Sequence, residues 1–184
     1  MRAVGMVEVR IVYGDRVLRS SYPQANALMN EGHDVLGRLL SGDRSVLPNM
    51  AYVEFYNGAG DPPSVVPDPV EGRSYYAGLE AADPADGIDY LRIPLIFGPA
   101  VGATAGHQSN RVRWTITTSG TEGVAGLSFS SGAGSKVFGG ALVAAPDLSD
   151  RSADLVFARF YPEQPVEKGP ANQQIQLIWT YTFE

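Results

Sequence analysis

Residues 173–183 read Gln-Gln-Ile-Gln-Leu-Ile-Trp-Thr-Tyr-Thr-Phe, and the spacing in this stretch decides the fold class. Ile175, Leu177, Trp179, Tyr181 and Phe183 recur at every second position, with Gln174, Gln176, Ile178, Thr180 and Thr182 between them. A period of two is that of a pleated strand with one face turned to a core, and aromatic and branched side chains favour such a surface.

The same reading extends outward. In residues 4–13, Val7, Val9, Ile11 and Tyr13 share one face, and Glu8 and Arg10 the other. Gly14-Asp15 is a turn signal, and residues 16–21 are the return arm of a hairpin. Residues 111–118 place Val112, Trp114 and Ile116 inside and Arg111, Arg113, Thr115 and Thr117 outside. Strands are also expected at 50–56, 88–97, 124–130, 136–144 and 154–161. Pro94 lacks an N–H, so its strand is an edge or carries a bulge.

One segment follows the helical period instead. Val35, Leu36, Leu39 and Leu40 form a stripe over residues 31–41, with Asn30 as the N-cap and Gly42 as the left-handed stop. Gly32 and Gly37 each weaken it by about 1 kcal/mol relative to alanine, so it needs a sheet to pack on. Residues 57–86 carry Pro62, Pro63, Pro67, Pro69 and Pro84 and read as a long surface loop, with a short strand allowed at 73–77. The expected architecture is one all-β domain over residues 1–184, an antiparallel β-sandwich of jelly-roll type with one short helix packed on it.

The chain has 184 residues and no cysteine, which excludes disulfides, thiolate metal sites and cysteine nucleophiles. Its formal charge of −6 opposes nucleic acid at long range. Of its 14 lysines and arginines only Lys136 and Lys168 are lysines. Arginine suits protein interfaces, but a GC-rich coding sequence is the favoured account of the bias. No run reaches the ~20 apolar residues of a membrane span, and charge at Arg2 and Glu8 interrupts the start too early for a signal peptide.

Chemistry is sparse. Gly132 and Gly134 have Gly-x-Gly spacing but lie between strands, without the helix N-terminus that a phosphate cradle requires. His33 falls in the first helical turn and His107 in a polar loop, with no paired ligand spacing and no nucleophile elbow. Asp83, Asp86 and Asp89, and Asp147, Asp150 and Asp154, read as solvated or turn-capping carboxylates rather than a calcium loop. No catalytic, cofactor-binding or metal-binding residue is therefore assigned. Tyr52, Tyr56, Tyr75, Tyr76 and Tyr90 gather in or beside the long loop; they fit a recognition surface or plain packing. With Arg111 and Arg113 they are the interface candidates.

Two segments together resemble a known class. One runs from Asn26 through Asn30-Glu31-Gly32-His33-Asp34-Val35-Leu36 to Leu39-Leu40-Ser41-Gly42. The other is Phe157-Ala158-Arg159-Phe160-Tyr161-Pro162, followed by Lys168 and the Trp179 strand. This frame is similar to that of small structural proteins of tailed bacteriophages. His33, at a position usually apolar in the frame, and the long proline-rich loop depart from it. The resemblance implies a non-enzymatic virion component, of tail, fibre, baseplate or capsid-decoration type. Its partners would be other virion proteins and copies of itself, with no cofactor. It also implies that the helix plugs an open side of the sandwich, that Arg159 and Lys168 flank the last hairpin, and that Trp179 anchors the core. A lectin-like module binding a host-surface glycan through the tyrosine-rich region is the alternative.

Overall fold

The computed structural model describes residues 3–21, 23–56, 68–70, 72–77, 88–94, 103–108, 111–117, 136–164, 166–167 and 173–183. The decisive stretch forms strand β12 (Gln174–Phe183), the centre of the first sheet. On one side it pairs antiparallel with β1 (Ala3–Tyr13), from Ala3 opposite Phe183 to Val12 opposite Gln174. On the other it pairs with β8 (Arg111–Thr117), so Trp179 lies between Val7 and Trp114. The sheet continues through β2 (Arg16–Ser20) beyond β1 and β7 (Ala103–Gln108) beyond β8, with the short β3 (Gln24–Ala25) also on β1.

The second sheet runs β4 (Ala27–Leu28), β10 (Leu155–Phe160), β9 (Lys136–Ala144), β5 (Met50–Tyr56) and β6 (Ile88–Pro94), with β11 (Val166–Glu167) on β9. Among the described residues all pairings are antiparallel. The core lies between the sheets: Val7, Val9, Ile11, Ile116, Ile175, Leu177 and Trp179 meet Ala51, Val53, Val137, Leu142, Phe157 and Phe160. Trp179 is fully buried, edge-on to Phe160 at 5.1 Å, as an anchor should be. Burial of each such large side chain contributes roughly 1.5–3 kcal/mol. The fold is an antiparallel β-sandwich. Consecutive strands β5–β6, β7–β8 and β9–β10 pair within one sheet, so a jelly-roll order is not seen among the described residues.

Helix α1 (Asn30–Leu40) lies on β10. Its close approach needs Gly32, where a Cβ would stand 2.1 Å from the Phe157 carbonyl oxygen. Gly42, at φ 94°, ends it: Gly42 N–H donates to Leu39 and Asp43 N–H to Arg38, the double bond of a Schellman stop. The start differs from expectation. Met29, not Asn30, is the cap residue, and no side chain caps the helix. The Glu31 carboxylate instead accepts from the backbone N–H of Arg73 (3.1 Å) and Val156 (2.6 Å), tying α1 to its neighbours.

Other readings are corrected. Residues 73–77, allowed as a short strand, are helical in α2 (Gly72–Ala77). His107, expected in a loop, sits in β7 opposite Val112. The apolar stripe of α1 is only partly covered: Val35 is buried, Leu36 and Leu39 are half-buried, and Leu40 is 88% exposed. Tyr13 shares the parity of Val7, Val9 and Ile11 but lies beyond the core and is exposed. The strand expected at 124–130, Lys168, and residues 57–67 and 78–86 of the expected loop lie outside the described residues. Among the described residues no helix is long and apolar enough to cross a membrane.

Candidate functional site

The closing segment named in the resemblance places Arg159 on the outer face of the second sheet, beside Glu54 of β5. Residues of β5 alternate, so Tyr52 and Glu54 point away from the core that Ala51 and Val53 enter. On most antiparallel sheets that face meets water. Here it is roofed by α2, and Tyr52 and Tyr76 are both buried, their rings edge to face at 4.5 Å. Of the two readings left open for the tyrosines, packing is the one seen at Tyr52 and Tyr76. Tyr56 is half-buried; Tyr75 falls in α2 and Tyr90 in β6, and their side chains lie outside the described residues. Arg111 and Arg113 are exposed, as their alternation requires.

Under that roof lie two linked polar groups. Asp154 is buried; it accepts two hydrogen bonds of 2.8 Å from Arg92 and a third from the Tyr52 hydroxyl. The Asp154 carboxylate holds the Arg92 guanidinium above its ordinary value. Glu54 is fully buried and accepts from the Tyr76 hydroxyl, with Arg159 3.8 Å away. Arg159, expected at the flank of the last hairpin, is itself fully buried, its guanidinium carbon 5.3 Å from the Tyr76 ring centre and 5.1 Å from that of Tyr161. Gly139 makes room: a Cβ there would meet Tyr161 at 2.7 Å and Glu54 at 3.0 Å. A general acid or base must reach a substrate proton. Glu54 and Asp154 face protein groups, and their chemistry is to hold α2 and the 145–154 turn on the sheet.

A second feature lies at the side of the sandwich. Leu36 and Leu39 of α1, Leu47, Val112, Trp114 and Phe157 line an apolar cavity of about 290 Å³. Asn26 and Tyr181 line it as well. In the orientation that satisfies every neighbour, the Asn26 amide donates to the Gly5 carbonyl (3.1 Å). It accepts from the Tyr181 hydroxyl and the Trp179 indole N–H, each at 2.8 Å. Burial pushes the Tyr181 phenol well above its ordinary value. The helix covers this side of the sandwich but does not fill it.

The acidic groups resolve into local roles. Asp147 accepts from Ser149 N–H (2.8 Å) and Asp150 from Ser152 N–H (2.8 Å), and these bonds, with those from the two serine hydroxyls, hold both carboxyls below the usual range. Asp83 and Asp86 lie outside the described residues, and Asp89 stands in β6 opposite Phe55. Gly132 and Gly134 also lie outside. His33 is exposed on α1. Among the described residues no three His, Asp or Glu side chains gather as a metal site.

The outer surface carries the remaining feature. β2 ends the order of its sheet, and all five of its residues are exposed. Val17 and Leu18 are among them, beside Tyr13, which is 51% exposed. The sequence did not single out this hairpin as an interface, although an apolar pair on a strand with charges at both ends is a legible sign of an edge. Comparison with protein-family models, with curated proteins and with solved structures finds no match.

Proposed function

We propose that the chain is a non-enzymatic structural subunit of a tailed-phage virion, and that it works by binding neighbouring subunits through its outer surface. The observation that carries the binding role is the open β2 edge with apolar Tyr13, Val17 and Leu18 in solvent. Isolated proteins usually blunt such edges, because a free strand edge and an apolar side chain invite pairing. The exposed arginines Arg111 and Arg113 give a further polar contact surface. The buried carboxylates support the same reading, since they hold the scaffold together. The virion assignment rests on the resemblance of the helix and closing-hairpin segments.

The glycan-binding alternative draws less support, because Tyr52 and Tyr76 are buried and cannot stack on a sugar. The test is binding to phage particles. Purified protein is added to particles lacking it, and sedimentation and labelled imaging follow its position. Saturable binding at a defined virion site is expected. A strictly monomeric protein that binds no virion component, or one that binds a glycan array instead, overturns the proposal.

A further inference from the structure

The β2 edge carries more than apolar groups. Tyr13 pairs opposite Arg16, Val12 opposite Val17 and Ile11 opposite Arg19, leaving Leu18 as the extra residue of a bulge. In a regular strand, side chains three apart point to opposite faces. The bulge cancels that, because Arg16 and Arg19 oppose Tyr13 and Ile11, which are two apart in β1 and share a face. Two exposed guanidinium groups therefore stand on one side of the edge, with backbones about 7 Å apart along the strand. The edge is basic on a chain whose formal charge is −6.

A symmetric pairing of β2 with β2 of another copy would bring four arginines together, and facing like charges oppose it. The occupant this face selects is acidic, with an apolar side chain for Tyr13, which shares it; Val17, opposite Val12, turns to the other face. Acids lie near exposed apolar side chains at Asp68 and Val70 and at Asp43 and Leu40, but one described turn sets two exposed acids around an exposed leucine. In the turn between β9 and β10, Asp147 and Asp150 flank Leu148, which is 61% exposed. The turn is prearranged: its aspartates bind Ser149 and Ser152, and Arg92 donates to the carbonyls of Leu148 and Asp147. Two acids with a leucine between them match the two arginines that share one face of the edge with Tyr13.

We infer that the Arg16/Arg19 edge of one copy receives the Asp147–Leu148–Asp150 turn of a second copy. The contact uses different surfaces on the two partners, so it either closes reciprocally as a two-fold dimer or propagates head to tail into a ring or filament. The inference rests on the reading of the chain as an assembling subunit and names the contact that assembly uses.

Light scattering after size-exclusion chromatography tests it with the whole chain. The wild type is expected to exceed the monomer mass at about 0.1 M salt and to dissociate toward 1 M, as the screening length falls from ~10 Å to ~3 Å. R16E/R19E and D147N/D150N should each be monomeric with unchanged circular dichroism; asparagine keeps the oxygens that cap the turn. Mixed, they should form a one-to-one pair and stop there, since each retains the surface the other lacks. Wild-type assembly retained by either double variant, or no pairing on mixing, overturns this contact while leaving the structural role standing. A monomeric wild type that also fails to bind particles overturns both.

Discussion

Arg92 and Asp154 form a two-pronged ion pair on the outer face of the second sheet, 2.8 Å at each prong, and the same guanidinium donates to the carbonyls of Asp147 and Leu148. One arginine thus fastens the 145–154 turn to β6, while the Tyr52 hydroxyl fixes the carboxylate from below. Removing one partner strands a charge in a place where water reaches poorly. Asp154→Ala is expected to cost about 3–5 kcal/mol in urea denaturation. Replacing both, as Arg92→Leu with Asp154→Leu, should cost less than Asp154→Leu alone. Simple addition of the two single effects would show that the pair is not coupled.

The contact between Gly5 and Asn26 predicts a second coupling. A Cβ on Gly5 would stand 2.0 Å from the Asn26 side-chain amide, the group that binds both Trp179 and Tyr181. Gly5→Ala must displace that amide, and overpacking of this kind costs about 1–3 kcal/mol. Asn26→Ala removes the obstruction but leaves the Tyr181 hydroxyl and the Trp179 N–H without their acceptor. The double variant should therefore be less destabilised than the sum of the singles in thermal or urea unfolding. Equal sums would mean that Asn26 does not occupy the space above Gly5.

Helix α1 separates two leucine-stripe positions that look alike in sequence. Val35 is fully buried against β10, and Leu40 is 88% exposed. Val35→Ala is expected to cost about 2 kcal/mol, from lost transfer energy plus a small cavity. Leu40→Ser should fall within about 0.5 kcal/mol of the wild type. Chemical denaturation of both variants checks the pair; a large loss at Leu40 would mean that something covers it.

The strands were legible because a half-buried strand writes its two faces into alternate residues. β1, β12 and β8 carry that signature, and the structure pairs them in that order. The second sheet hid more. Leu155–Phe160 reads Leu-Val-Phe-Ala-Arg-Phe, nearly continuous in apolar groups, which is how a strand covered on both faces reads. A lone arginine inside it, and Glu54 inside the equally apolar β5, signal a buried pair, but only the pairing of both strands with β9 brings them together. Helix α2 was illegible because Gly-Arg-Ser-Tyr-Tyr-Ala is too short for a period to develop, and its place depends on Glu31 and Tyr52 across the fold. The bulge at Leu18 is likewise a property of register, which a single strand cannot reveal.

The end of α1 predicts a pH effect whose sign follows from one exposed carboxylate. Asp43 accepts from the Ser45 hydroxyl at 2.6 Å and the Ser45 N–H at 2.9 Å, and from the Arg38 guanidinium at 2.7 and 2.9 Å. Led by the Ser45 hydroxyl, these bonds lower its pKa from 3.8 to about 2. A folded-state pKa below the unfolded one adds stability that is present above the unfolded pKa and is lost as pH falls through the folded one. The thermal midpoint of the wild type should therefore exceed that of Asp43→Ala by a constant margin from neutral pH down to about 5. Between about pH 4 and pH 2 the charge-dependent part of that margin should disappear as the carboxylate protonates. A margin that stays level through this window would assign the effect to the neutral hydrogen bonds of the helix stop, and the Arg38–Asp43 ion pair would then contribute nothing to stability.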